Sequence, residues 1–453
     1  MNTIITFIKK LLRRSKQKHA ELSQPAIDAK HLIQRHQHQV SKTNMSSNAL
    51  AVLNRLNSGG FQAYLVGGSV RDLLIHKAPK DFDIATDATP NQIRKLFRNA
   101  RIIGRRFKLA HILYHREIIE VATFRGHDPI DDNHQTNDSG MLIRDNVYGT
   151  LEEDAWRRDF TVNSLYYTLT DKTIVDYTGG FSDVRSRLIR MIGDPTTRYQ
   201  EDPVRMLRAI RFSAKLDFNI EKETAAPIKK LSILIANISG SRLFEEMVKL
   251  YQCGKAEPAQ NLLVQYGLFM HLFPQSHHLI EKKTWPIHEF ITVALQSTDK
   301  RIQDDKPVTP AFIFAALLWF PLLQHASELR NSGIEPLPAL EQAMSFVISE
   351  QNKFVTIPKR FTQVMREIWL LQFRFEKRTG HRAFGLLEHP RFRAAYDFMA
   401  LRALAGDEAI ALADWWTTFQ DVSPEQQQEM VDSLSSIEQS KPKRRRPKKK
   451  PAA

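Results

Sequence analysis

Cysteine is almost absent from this chain: Cys253 is the only one in 453 residues. A single thiol can form neither an intrachain disulfide nor a Cys-rich zinc cluster, which excludes a disulfide-stapled secreted scaffold and fits a reducing compartment. Long apolar runs are missing too. The longest, Ala311 to Leu323, is interrupted by Pro321 and falls short of the roughly 20 residues that a membrane-spanning helix needs. Near the start, Lys9, Lys10, Arg13 and Arg14 cut the apolar groups apart and no small-residue cleavage site follows, so no secretory leader is expected. Together these absences predict a cytoplasmic protein. With 42% apolar and 25% charged side chains the chain is neither collagenous nor disordered overall, and it is long enough for two to four packed domains.

Acidic residues are missing from both ends. Residues 1–19 carry six basic groups (Lys9, Lys10, Arg13, Arg14, Lys16, Lys18) and no acid, and Lys441 to Lys450 carry eight and no acid. These fourteen charges account for nearly all of the net +15, leaving the body at about +1. Two basic arms on a nearly neutral body supply long-range attraction to a polyanion. The tail alternates prolines with cations and is expected to stay unfolded. The N-terminal stretch also places Ile4, Ile8, Leu11 and Leu12 on one helical face among cations. That permits weak attachment to an anionic membrane surface, although a frayed arm, or one touching RNA, is the preferred reading.

The pattern between the arms predicts an α+β chain with strands in its first part and helices after about residue 180. A helix over Ser46–Leu56 ends at Gly59-Gly60, followed by strands over Phe61–Val66 and Asp81–Ala85 with a helix over Val70–Ile75 between them. Thr89-Pro90 opens another helix, with threonine as cap and proline in the first turn. Lys108–Tyr114 and Ile118–Phe124 read as a hairpin, Leu165–Leu169 as an apolar helix, and Gly126–Gly140, dense in Asp, Asn, His and Gly, as a mobile surface loop. Later helices begin at Thr309-Pro310 and at Ser423-Pro424, the second with Gln426 in the reciprocal capping position. The sixteen histidines suggest metal binding, but His277-His278 and His36/His38 lack carboxylate or thiolate partners at ligand spacing.

Four constellations carry chemistry. In Asp81-Phe82-Asp83, residues two apart on a strand project from the same face, so two carboxylates converge. Such a pair repels itself unless a hard cation sits between, as two-metal nucleotidyl transfer requires. Val66-Gly67-Gly68-Ser69-Val70-Arg71-Asp72 reads as strand, glycine turn and helix start, a place where backbone can come close to phosphates. In Arg157-Arg158-Asp159-Phe160-Thr161, paired arginines could grip a triphosphate as bidentate donors. Glu201-Asp202-Pro203-Val204-Arg205, continued by Arg208 and Arg211, places Asp202 and Arg205 three apart on one helical face. A carboxylate and an arginine so placed match the donor–acceptor edge that adenine and cytosine share. Each of the four, taken alone, is more often an ordinary turn, ion pair or solvated face.

In this order the four motifs resemble those of class II nucleotidyltransferases, the group that contains bacterial poly(A) polymerases and CCA-adding tRNA nucleotidyltransferases. The resemblance is strong over roughly residues 50–250. Ile102-Ile103-Gly104-Arg105-Arg106-Phe107-Lys108-Leu109-Ala110-His111-Ile112, Arg144–Ala155 and the Lys/Arg/Pro tail are similar to features that mark the poly(A) polymerase branch. The resemblance implies a palm-like mixed sheet with helices at the head and an all-helical neck and body. It implies boundaries at 1–45 for a flexible arm, 46–175 for the catalytic head, 176–270 for the neck, 271–435 for an RNA-binding body and 436–453 for a disordered tail.

It further implies template-independent addition of AMP from ATP to RNA 3′ ends, in RNA processing and decay, with Mg²⁺ or Mn²⁺ as cofactor. Asp81 and Asp83 would bind metal, with Asp159 as a third catalytic acid and Glu120 as a competing metal ligand from the neighbouring strand; sequence leaves that choice open. Gly67, Gly68, Ser69, Arg71 and Asp72 would hold triphosphate and ribose. Arg157, Arg158, Asp202, Arg205, Arg208 and Arg211 would complete nucleotide binding and base choice. A monomer that meets RNA-decay proteins is expected. CCA addition by the same head is the nearest rival, and a non-catalytic RNA-binding protein is the rival of another class.

Overall fold

The computed structural model describes residues 31–104, 108–115, 117–126, 147–283 and 285–440, with the side chains of 435–440 excepted. The stretch before His31, the basic tail, Arg105-Arg106-Phe107, residues 127–140 and Arg144–Asn146 lie outside the described residues. Among these are the expected mobile loop and the centre of the branch-marking block. The chain divides into two compact units, Met1–Gly193 and Asp194–Ala453.

The first unit is built on an eight-stranded mixed sheet in the order β1-β8-β7-β2-β3-β6-β5-β4. The strands are β1 (His31–Ile33), β2 (Ala63–Val66), β3 (Asp83–Thr86), β4 (Ala100–Ile103), β5 (Leu109–Tyr114), β6 (Glu117–Thr123), β7 (Leu165–Tyr167) and β8 (Ile174–Asp176). β3 and β6 run parallel, and the other neighbours are antiparallel. Helix α1 (Ser47–Ser58) starts where Ser46 accepts a hydrogen bond from the Ala49 N–H and buries Ala49, Val52, Leu53 and Leu56. Helix α2 (Gly68–Leu74) follows β2 directly, and α3 (Pro90–Leu96) opens on the Thr89–Gln92 capping box.

Three local expectations are revised. Leu165–Leu169 is not a helix: Leu165–Tyr167 is strand β7, fully buried between β2 and β8. A short, wholly apolar run has no periodicity of its own, and lateral partners decide its conformation. The arm expectation over 1–45 ends at His31, where β1 pairs with β8 and His38 Nε2 lies 3.0 Å from the Lys172 carbonyl oxygen. Asp81 also stands outside its expected strand, because β3 begins at Asp83.

The second unit is helical, apart from a two-residue strand at Asn219–Ile220. Its elements include α6 (Pro195–Glu201), α7 (Val204–Leu216), α8 (Gly240–Tyr251), α9 (Lys359–Gln372) and α10 (His381–Leu387); in the first unit α4 is Leu151–Arg157 and α5 is Gly180–Ser186. Helix α7 buries Val204, Met206, Leu207, Ala209 and Ile210 and turns Arg205, Arg208 and Arg211 outward, all half-buried. A stacked aromatic seam through Phe244, Phe314 and Phe273 fills part of the core. Another cluster gathers Phe375, Phe392, Trp416 and Phe419. No single helix among the described residues is long and apolar enough to cross a membrane. The apolar pair Pro310–Leu317 and Trp319–Asn331 is bent by 50°, and its first helix and Trp319 are buried.

Candidate active site

The edge of the first unit that carries the glycine turn is set by sequence order. Strand β2 runs into Gly67, whose φ of 72° and ψ of −128° lie where side chains with a Cβ are strongly disfavoured. A Cβ there would also sit 3.3 Å from Arg158 Nη1. The polar side chains of the turn mostly face inward. Ser69 is buried and donates its hydroxyl to the Val66 carbonyl at 3.0 Å. Arg71, only 2% exposed, donates to Asp72 and to Asn163 Oδ1. Asn163 in turn donates to Asp159 Oδ1 at 3.3 Å. A chain Asp72–Arg71–Asn163–Asp159 therefore joins the glycine-turn motif to the paired-arginine motif. Asn163, two residues past the end of the paired-arginine motif, is the link.

Arg158 forms the second internal cluster. It donates to Asp154 Oδ2 from Nε and Nη2, to the Tyr166 hydroxyl at 2.8 Å and to the Asn163 carbonyl at 3.2 Å. Its guanidinium also lies over the Tyr166 ring, 5.2 Å from the centroid. Burial works against the charge, but Tyr166 and Asp154 outweigh it and hold the Arg158 pKa above its ordinary value. The same burial, with Asp154 nearby, pushes the Tyr166 hydroxyl up. Arg157 donates to the Gly126 carbonyl at 2.8 Å, and so ties the end of α4 to the mouth of the loop. Both arginines thus make hydrogen bonds within the first unit.

The carboxylates stand on the open side. Asp81 and Asp83 are exposed and alternate with buried Phe82 and Ile84, so the two acids share a face although Asp81 precedes the strand. In the sheet Asp83 is the register partner of Glu120 on β6, and Glu120 is the register partner of His111 on β5. Glu120 Oε1 lies 3.2 Å from His111 Nε2. Crowding by surrounding protein, then Glu120 and Asp81, push the Asp83 pKa up to about 6 against the opposing pull of Arg158. Among the described residues no three side chains of His, Cys, Asp or Glu converge as a complete metal cage. An open carboxylate pair suits Mg²⁺, which keeps waters and substrate phosphate oxygens among its ligands rather than demanding an all-protein site. The residues present therefore fit the cation.

The motif of the second unit that the sequence reading assigns to base choice differs from its expected form. Asp202 has φ −146° and ψ 93° at the end of α6, outside any helix, and α7 starts at Val204. Its Oδ2 accepts from Arg242 Nη2 of α8 at 2.7 Å, a partner forty residues away that no local spacing could indicate. Arg205 donates to Glu201 at 2.9 Å and to the Arg198 carbonyl at 2.7 Å. Arg211 lies over the Phe212 ring at 4.5 Å and Arg208 over the same ring at 5.5 Å. Asp202 and Arg205 are thus close in sequence, each steadied by a different protein partner.

Comparison with known proteins identifies the family. The family profile described as "Poly A polymerase head domain" matches residues 63–190. The one described as "Probable RNA and SrmB- binding site of polymerase A" matches 217–280, and "Polymerase A arginine-rich C-terminus" matches 332–450. Poly(A) polymerase I of Escherichia coli O157:H7 is 47% identical, with 99% of this chain and 97% of that protein covered. The CCA-adding enzyme of Bacillus subtilis is 36% identical over 52% of this chain and 59% of its own length. Among solved structures, the Bacillus stearothermophilus CCA-adding enzyme in complex with CTP shares the fold at a TM-score of 0.55 and 24% identity, covering 87% of this chain and 92% of that one. A match that runs nearly end to end with the polymerase, but only about half-way with the Bacillus subtilis CCA-adding enzyme, decides between the branches: the chain belongs to the poly(A) polymerase I family.

Proposed function

We infer that the chain is a polynucleotide adenylyltransferase, adding AMP from ATP to RNA 3′ ends without a template and releasing pyrophosphate. The observation that carries this reading is the full-length likeness to poly(A) polymerase I, read together with an open, electron-rich carboxylate pair beside a glycine turn. A place in the cytoplasm is part of this reading, supported by the single cysteine, which suits a reducing compartment.

Asp81 and Asp83 would hold the divalent cation, with Mg²⁺ or Mn²⁺ as candidates. Such an ion, when bound, favours ionisation of an attacking hydroxyl and neutralises charge on phosphate oxygens. Glu120 adds negative potential to the same face while His111 orients it. Asp159 would be the further catalytic acid, its Oδ1 held by Asn163 and the Phe160 N–H. Gly67 and Gly68 let the triphosphate approach backbone. The internal chains through Arg71 and Arg158 keep that turn from yielding when a polyanion docks.

Base choice would fall to Asp202 as acceptor from an exocyclic amine and Arg205 as donor to the adjacent ring nitrogen, with Glu201 and the Arg198 carbonyl aiming Arg205. Asp202→Ala is expected to reduce the preference for ATP over GTP by tenfold or more, because a site built to pair an amine loses its acceptor. Initial rates with each nucleotide on one RNA primer measure this, and an unchanged ratio would place base recognition elsewhere. The CCA-adding alternative is tested with tRNA lacking its terminal CCA. The account expects CTP to be a poor substrate on that RNA, and CTP incorporation as fast as that of ATP, stopping after a few residues, would favour the rival.

A further inference from the structure

In the second unit, the segment after α9 and the first turns of α10 border an open cavity of about 630 Å³, lined by Arg374, Lys377, Gly380, His381, Arg382 and Gly385 together with Thr379. No acid lines it. All four basic side chains belong to exposed residues. Among the described residues Arg374, Lys377 and Arg382 have no ion-pair partner. Neighbouring arginines of the same unit are matched: Arg391 with Glu367 at 2.9 Å, Arg393 with Asp397 at 3.0 Å and Arg402 with Asp407 at 2.7 Å. Unmatched cations concentrated in one concave place raise the local positive potential and attract an external anion.

The glycines point the same way. Gly385 lies inside α10, where glycine is an unfavourable choice, and an added Cβ would meet nothing within 4 Å. Packing therefore does not require it. Gly380 caps the helix at φ 60° and ψ −149°, a conformation reserved for glycine, and also faces open space. Bare backbone on the wall of a basic cavity admits a bulky anion to close range. Just before Arg374, Phe373 is 42% exposed, a ring on which an unpaired base can stack.

We propose that this cavity is a binding site for the phosphate backbone of single-stranded RNA, gripped by Arg374, Lys377 and Arg382. The choice of RNA as the polyanion rests on the adenylyltransferase reading; the cavity itself does not. The test uses the full chain and a short unstructured RNA with a blocked 3′ end, without ATP, with binding measured across a range of salt. The triple variant Arg374→Gln/Lys377→Gln/Arg382→Gln is expected to bind at least about tenfold more weakly. Its slope of log affinity against log salt should be shallower by about 2, from three lost single-strand phosphate contacts. Gly385→Ala should keep or raise the melting temperature and still weaken RNA binding, a combination that no loss of folding produces.

In extension assays on an unblocked RNA, the triple variant should show a raised KM for RNA with unchanged kcat and unchanged KM for ATP. If the wild-type chain extends no RNA yet these binding differences hold, the enzymatic reading falls and the cavity assignment stands. Equal affinities and slopes in wild type and both variants would overturn the proposal. So would polyglutamate binding that the triple variant loses while RNA binding is unchanged, since the cavity would then serve an acidic protein.

Discussion

Asp83→Asn is expected to slow AMP addition by at least about a thousandfold, roughly 4 kcal/mol of barrier, while leaving the melting temperature unchanged or raised. The two readouts move apart because Asp83 is a liability in the folded protein. It stands at the start of β3 beside Glu120 on β6, and crowding by surrounding protein, then Glu120 and Asp81, has already pushed its pKa up to about 6 against the pull of Arg158. Neutralising it relieves repulsion, as expected where two carboxylates share a site. The same change removes half of the pair proposed to hold the divalent cation, and with it charge stabilisation that side chains alone do not replace. Single-turnover extension at saturating ATP and RNA, alongside a thermal melt, measures both effects. A variant that kept more than a tenth of wild-type activity would remove Asp83 from the catalytic set.

Asp154→Ala should produce the opposite combination, a large loss of stability in the first unit. Asp154 accepts from Arg158 at 3.1 Å and from the Tyr166 hydroxyl at 2.7 Å, and its other oxygen accepts from the Arg125 N–H at 3.2 Å. Removing the acceptor strands a guanidinium and a phenol inside the wall of the site. Breaking one side of a buried charge pair costs about 3–5 kcal/mol. Asp154→Asn, which keeps shape and one acceptor, should cost visibly less. Because Arg158 also holds the Asn163 carbonyl beside Gly67, the alanine variant should raise the KM for ATP at temperatures where it remains folded. Denaturant titration and initial-rate kinetics test the pair. A loss below about 1 kcal/mol would show that the cluster is not the support described, since surface pairs contribute no more than that.

Several helix starts were readable because their signals are local. The Thr89 cap with Pro90, the Ser423–Gln426 box and the proline at the start of Pro310–Leu317 all act within one turn. The four motifs were recognisable in order because each is short and continuous. What escaped depends on contacts across the chain. Leu165–Tyr167 is a strand because β2 and β8 lie on either side of it, and nothing within those residues says so. His31–Ile33 was lost in a basic arm whose composition hides its pairing with β8. Arg71, Arg158 and Ser69 carry the types that bind phosphate, yet the structure directs them inward to Asn163, Asp154 and the Val66 carbonyl. Charge and spacing cannot separate a side chain that grips a ligand from one that braces the turn beside it. Asp202 pairs with Arg242 across forty residues, and only the packing of α7 against α8 makes that contact.

The most direct test of the whole account is extension of one short unstructured RNA by the full chain with Mg²⁺ and each of the four nucleoside triphosphates in turn. The account predicts a long ladder with ATP and little with GTP, CTP or UTP. Ladders of equal length with all four would contradict the base-reading role of Asp202 and Arg205, and no extension with any of them would contradict the assignment of Asp81 and Asp83 to nucleotidyl transfer.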